Sequence, residues 1–189
     1  MAPGCLVILA ALFGGCATSS KSQPTTDASP LSPKKLAIRN NAASLLYDLL
    51  GDEKNLSKLF FLKGGRPELK SLVKIISSAA GAGEKKLEEL AKKDSSLDLK
   101  VANLPPGEQA TRDAISKTKE HDLLHSSGAD LELNLLLTQA DALGYGTHLA
   151  KIAAENSERG EQVQEFNALA STLDGLHQQV ISLLRNPPK

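Results

Sequence analysis

The sequence predicts an all-α protein: an antiparallel four-helix-type bundle with an additional helical segment at its N-terminus. Three observations predict it. Apolar residues recur at steps of three and four over most of the chain, no stretch alternates with period two for long, and the breaks between periodic segments are mostly short. Leu97, Leu99 and Val101 come closest to alternation, but one short segment cannot build a sheet.

The elements follow in order. Leu36, Leu45, Leu46, Leu49 and Leu50 open a first amphipathic helix, interrupted at Gly51. A short segment around Leu56, Leu59, Phe60 and Leu62 ends at Gly64-Gly65. Pro67 suits a first helical turn, where its missing N–H is no loss. After it Leu69, Leu72, Val73, Ile76, Ala80, Gly83, Leu87 and Leu90 mark one face. Residues 94–107 break the pattern, and a further helix covers 107–126. The strongest period runs through Leu131, Leu135, Thr138, Ala142, Tyr145, Leu149 and Ile152, and Leu133, Leu136, Leu137, Ala140 and Leu143 widen it. So broad an apolar arc predicts a central helix. The last helix carries Val163, Phe166, Ala170, Leu173, His177, Val180 and Leu184, and Asn186-Pro187-Pro188 ends it.

The chain has 189 residues, which suits one domain of ordinary size with a further segment. Twenty-two Lys and Arg balance twenty-two Asp and Glu, which argues against a strongly basic nucleic-acid binder. Apolar residues at 41% and charged residues at 23% are close to globular averages and argue against wholesale disorder.

The first fifteen residues read differently. Residues 5–13 form an apolar run too short to span a bilayer, which takes about 20 residues, but of the size of a secretory h-region. Leu12-Phe13-Gly14-Gly15-Cys16 resembles the lipobox of a bacterial lipoprotein, with Phe13 where Leu is usual. That resemblance implies a signal peptide over 1–15, cleavage before Cys16 and acylation of the Cys16 thiol. It also implies a cell-envelope protein, and Ala17 at the next position implies the outer membrane, facing the periplasm. Cleavage would remove Cys5, the other cysteine, so the mature chain could form no internal disulfide. From residue 17 to 33, eleven of seventeen residues are Ser, Thr or Pro, the composition of a flexible tether. Three parts result: the leader 1–15, an acylated Cys and tether over 16–33, and a helical body over 34–186.

The body resembles a family of bacterial envelope proteins of unknown function with a ferritin-like fold. The residues that carry the resemblance are Leu87, Leu90 and Ala91, the Leu104-Pro105 step, and the run Leu131-Glu132, Leu135 and Gln139. It covers roughly residues 55–184 and implies a ferritin-like arrangement of the helices. The chain departs from the family at two places. Ala79-Ala80 stand where an Asp-His pair is usual, and Leu143 stands where a His is usual.

Ferritin-like bundles often hold two irons through Glu-x-x-His motifs, but no Glu here has His three residues on, which argues against a di-iron centre. His121 and His125 in Glu120-His121-Asp122-Leu123-Leu124-His125 are the candidate metal ligands. An i,i+4 pair on a helix can direct two imidazoles at one ion, with Glu132 as a possible third ligand. Asp122 holds the place of the zincin Glu but is one carbon shorter. The plainer reading is two solvated histidines near a helix C-terminus, where the dipole favours His⁺. His148, with Asn134, Asp141 and Glu155 at intervals of seven, reads as a solvated face, and His177 as a core histidine.

Small residues at Ala79–Gly83 and Gly144-Tyr145-Gly146 allow close helix approach or a cleft, but neither is a phosphate loop. No Gly-x-Ser-x-Gly elbow is present, and the one mature cysteine is terminal. The runs Glu84-Lys85-Lys86 and Glu88-Glu89 with Lys92-Lys93 predict i,i+4 pairs along an exposed face. The sequence therefore predicts a non-enzymatic, lipid-anchored envelope protein with a structural, interaction or stress-related role and no cofactor. Its partners are the membrane, through Cys16, and a further envelope protein or second copy of the chain. The alternatives are a metal-binding protein using His121 and His125, and an apolar-ligand carrier with a cleft near Gly144 and Gly146.

Acylation at Cys16 has a direct readout. Cys16→Ser is expected to move the protein from the membrane to the soluble fraction, seen by fractionation and immunoblotting; a wild-type chain already in the soluble fraction overturns it.

Overall fold

The computed structural model describes residues 31–61, 66–100 and 104–186. The leader, Cys16 and the tether up to residue 30 lie outside the described residues, as do Gly64-Gly65 and Pro187-Pro188. All regular structure among the described residues is helical: α1 (Pro33–Glu53), α2 (Leu56–Phe61), α3 (Pro67–Lys93), α4 (Pro106–His125), α5 (Gly128–Glu155) and α6 (Gly160–Arg185). No helix among them is long and apolar enough to cross a membrane.

Local chemistry sets the helix ends. Ser32 caps α1 by accepting a hydrogen bond from the Lys35 backbone N–H at 3.4 Å, and Pro33 occupies the first turn. Gly51 does not stop α1, which continues to Glu53. Pro67 and Glu68 open α3 and Lys92 and Lys93 close it, matching the signs of the helix dipole.

The four longest helices pack in a ring, α1 on α3, α3 on α6, α6 on α5 and α5 on α1. Cross-helix contacts fix their directions. Tyr47 Oη donates to Glu88 at 2.9 Å, and Lys54 pairs with Glu84, so α1 and α3 are antiparallel. Lys86 to Glu165 at 3.3 Å and Lys93 to Glu161 set α3 against α6 in the same sense. Gly146 faces Leu49 of α1 and Leu173 of α6, and Gly144 faces His177. Thus α1 and α6 run one way, and α3 and α5 the other.

The charged residues of α3 therefore pair mainly across helices. The expected i,i+4 pairs along the helix are replaced by partners on α1 and α6, and Lys86 to Glu89 at 3.4 Å is a pair within α3. Such half-exposed pairs contribute at most about 1 kcal/mol each and chiefly select orientation.

The N-terminal helix is a full member of this ring, not an added segment; the long helix outside it is α4, and the short α2 packs on α3. Arg39, Ala43, Leu46, Leu50 and Glu53, at steps of four and three, form the buried face of α1. By contrast α4 buries no residue, and it packs chiefly on α5. Its larger apolar side chains are only Ile115, Leu123 and Leu124, too few for an inward stripe. It is the crossover that brings the chain back along the bundle, so that α5 starts at the end where α3 starts.

Leucine and alanine fill most of the core, with Phe166 fully buried among them. Helices approach closely at two glycines, as the small-residue patches suggest. A Cβ on Gly146 would stand 2.8 Å from Leu49 Cδ2 and 3.2 Å from Leu173 Cδ1; one on Gly83 would stand 2.9 Å from Leu169 Cδ2. Two faces are turned relative to expectation. On α5 Leu131, Leu135 and Leu149 of the expected stripe are buried, together with Leu136, Gln139, Leu143, Gly146, Ala150 and Ala153, while Thr138, Ala142, Tyr145 and Ile152 stand at its edge or outside it. On α6 Leu176 takes the buried place expected for His177, which is half-buried against Gly144.

One end of the ring closes on a buried polar cluster. Arg39, 1% exposed, donates from Nη1 to Asp94 Oδ2 and to Gln162 Oε1, both at 3.3 Å. Its Nη2 donates to the Ser96 carbonyl at 2.7 Å and its Nε to Asn40 at 3.1 Å. Gln162 completes the circuit by donating to Asp94 Oδ2 at 2.8 Å. Asp94 Oδ1 accepts from the Ser96 backbone N–H at 3.0 Å and hydroxyl at 2.7 Å. Burial alone would raise the Asp94 carboxyl, but hydrogen bonds from Ser96 and Gln162 and the charge of Arg159 hold it below the ordinary carboxylate value.

Removing one partner leaves a buried charge alone. Asp94→Ala is expected to destabilise the fold by about 3–5 kcal/mol, read from urea unfolding at neutral pH. A loss below about 1 kcal/mol would show that the cluster is not a structural tie.

Candidate ligand-binding cleft

Because α4 buries nothing, it stands off from the ring and leaves a cleft of about 710 Å³ between itself, the end of α1 and the first half of α5. The size is within the range usual for small-molecule sites. Leu49, Leu131 and Leu135 line it from the ring, Leu56 from α2, and Ile115, Leu123 and Leu124 from α4. The α5 wall is Leu131, Leu135, Thr138, Ala142 and Tyr145. These are the first five positions of the stripe that the sequence assigns to a core seam. Its periodicity is real, but much of that stripe faces the cleft.

Two exposed clasps hold α4 over the opening. Arg112 donates to Tyr145 Oη at 2.6 Å, lies 5.0 Å over the Tyr145 ring and pairs with Glu108 at 2.7 Å. About two turns further along α4, Lys119 pairs with Asp141 at 2.9 Å. A helix with no fully buried side chain, joined to the core by half-buried Leu123 and otherwise by exposed polar contacts, belongs to the less stable part of a fold.

Two buried acceptors stand on the floor. Glu53, 9% exposed, has Oε2 without a hydrogen-bond partner, and Gln139, 2% exposed, has Oε1 without one. Burial pushes the Glu53 carboxyl up to about 7, and Asp52 adds to the rise; a hydrogen bond with Gln139 and the charge of Lys119 oppose it. Burial likewise raises Asp52. An unsatisfied buried acceptor costs about 1–3 kcal/mol, so this floor is chemically unfinished.

The residues singled out from sequence are placed elsewhere. His121 and His125 lie exposed at the end of α4, their rings stacked with centroids 4.1 Å apart. His125 Nδ1 is 2.8 Å from the His121 carbonyl. Glu132 pairs with Arg66 at 2.9 Å and accepts from the Arg66 backbone N–H at 3.0 Å. No group of three metal-ligating side chains occurs among the described residues. His148, Asp141 and Glu155 are exposed and Asn134 half-buried. Gly144 and Gly146 pack against α6 and α1, while Tyr145 between them lines the cleft. Cys16 lies outside the described residues.

Sequence reasoning missed Glu53 as a site residue. The available signal was its place at the end of the stripe Arg39, Ala43, Leu46 and Leu50, which sets an acid on a core face.

No protein-family model, no curated protein and no solved structure matches this chain.

Glu53 makes stability depend on pH. Its folded value lies above the ordinary carboxylate range, so between about 4.5 and 7 the folded chain binds more protons than the unfolded one. The stability associated with neutral Glu53 is present below that window and lost as pH rises through about 7. Glu53→Gln is expected to remove this decline and to be more stable than wild type near pH 8 by ~1–3 kcal/mol, measured by urea midpoints across the range. Parallel profiles for the two proteins would refute it.

Proposed function

We propose that this chain is a non-enzymatic, lipid-anchored protein of the bacterial cell envelope that carries an apolar ligand in the cleft under α4. The leader ending at Cys16 and the Ser/Thr/Pro tether support the anchor, and with it an outer-membrane position facing the periplasm. A ferritin-like arrangement is supported by the helix directions: α3 and α5 run the same way, joined by one long crossover that contains α4.

The observation that carries the function is the cleft itself. Most of its exposed lining surface is apolar, contributed by Leu, Ile, Ala and Tyr side chains set among polar ones, and its cover is the long helix that buries nothing among the described residues. An apolar surface that could have been core but is left facing a cavity is stabilised by a guest that removes it from water.

An uncharged fluorescent probe, N-phenyl-1-naphthylamine, tests the reading. The purified full chain is expected to bind it with one site. Ala142→Trp, which fills the cleft from α5, and Ile115→Trp, which fills it from the exposed cover helix, are expected to weaken binding by at least about ten-fold with helicity retained. Unchanged binding in both variants would place the probe elsewhere and overturn the carrier role.

A further inference from the structure

The apolar walls give no account of the floor. Glu53 Oε2 and Gln139 Oε1 are acceptors, both buried, both lining the cleft and both without a donor. A pure hydrocarbon or a sterol ring would leave them that way. An anionic head, carboxylate or phosphate, fares worse. It would meet Glu53 and Asp52, and the two cations that line the cleft are already engaged: Arg112 with Glu108 and Tyr145, Lys119 with Asp141. Glu120 adds a further acid to the lining. The group that fits is a donor, and one carrying positive charge. An ammonium has three N–H donors and no acceptor, enough to serve both oxygens at once.

We infer that the cleft recognises an amine-headed amphiphile, its ammonium seated between Glu53 and Gln139 and its alkyl body against Leu49, Leu131 and Leu135. This inference rests on the carrier reading and narrows it to a ligand class. The head would lie where α1 meets α5, and the tail would run beneath α4. In that position the charge is paired out of water, where a hydrogen-bonded ion pair counts for more than at the surface. Specificity follows from the unpaired state: a ligand without the donor leaves two desolvated acceptors, and one with the wrong charge adds repulsion.

The test compares three probes of one chain length, dodecylamine, dodecanol and dodecanoate, each displacing N-phenyl-1-naphthylamine from the purified full chain. Dodecylamine is expected to bind at least about ten-fold more tightly than dodecanol, and dodecanoate weakest. Glu53→Gln is expected to abolish the preference for the amine over dodecanol, and Gln139→Leu to reduce it. Glu155→Gln, an exposed acid away from the cleft, is expected to leave it unchanged. Equal binding of amine and alcohol, tighter binding of dodecanoate, or an amine preference that survives Glu53→Gln would overturn the head-group assignment. In those cases the carrier reading stands so long as Ala142→Trp still blocks the naphthylamine probe. If that probe never binds in the cleft, both fall together.

Discussion

At the end of the bundle where α1 begins, the guanidinium of Arg39 is taken almost wholly out of water and fully engaged. Its partners come from the cap of α3, the loop after it and the first turn of α6, so one side chain ties three ring helices and the start of the crossover. A buried ion pair contributes little net stability compared with an apolar replacement, but its hydrogen bonds are directional. A Leu/Ala core can slide by a turn at modest loss; this cluster has one arrangement in which every donor is answered. It sets the register of the ring, and the ring sets where α4 must cross.

The two ends of α1 are thus opposites built on one stripe. Arg39 and Glu53 bracket the same run of small and branched apolar residues, fourteen positions apart. Arg39 meets acceptors on every side. Glu53 meets Gln139 and lines the cleft, and one of its buried oxygens goes unanswered. Polar groups on a buried face are structural when the fold satisfies them and point to function when it does not. That contrast within a single helix separates the tie from the site.

Much of the helical plan was legible in the sequence, because steps of three and four in Leu and Ala, with Pro at helix starts, report directly on which residues avoid water. What periodicity could not tell was which face of α5 is core. That helix is apolar around so wide an arc that Leu135 with Tyr145 and Gln139 with Gly146 are equally good stripes, and only the neighbours decide. The same ambiguity hid the outlying helix. α4 and α1 are of similar length, and α1 conceals its buried face behind Arg39, Ser44 and Glu53, which read as polar. The cleft was legible in part, through Tyr145 between its two glycines. Its floor was not, since Glu53 and Gln139 lie far apart in sequence and meet only through antiparallel packing.

The placement of the cleft along α1 has a consequence for presentation. The first described helix starts at Pro33, at the Arg39 end, and the cleft lies at the Glu53 end, a helix of 21 residues or ~30 Å away. The start of α1 and the cleft thus lie at opposite ends of that helix. A guest bound there sits a full helix length from the point where the chain enters α1.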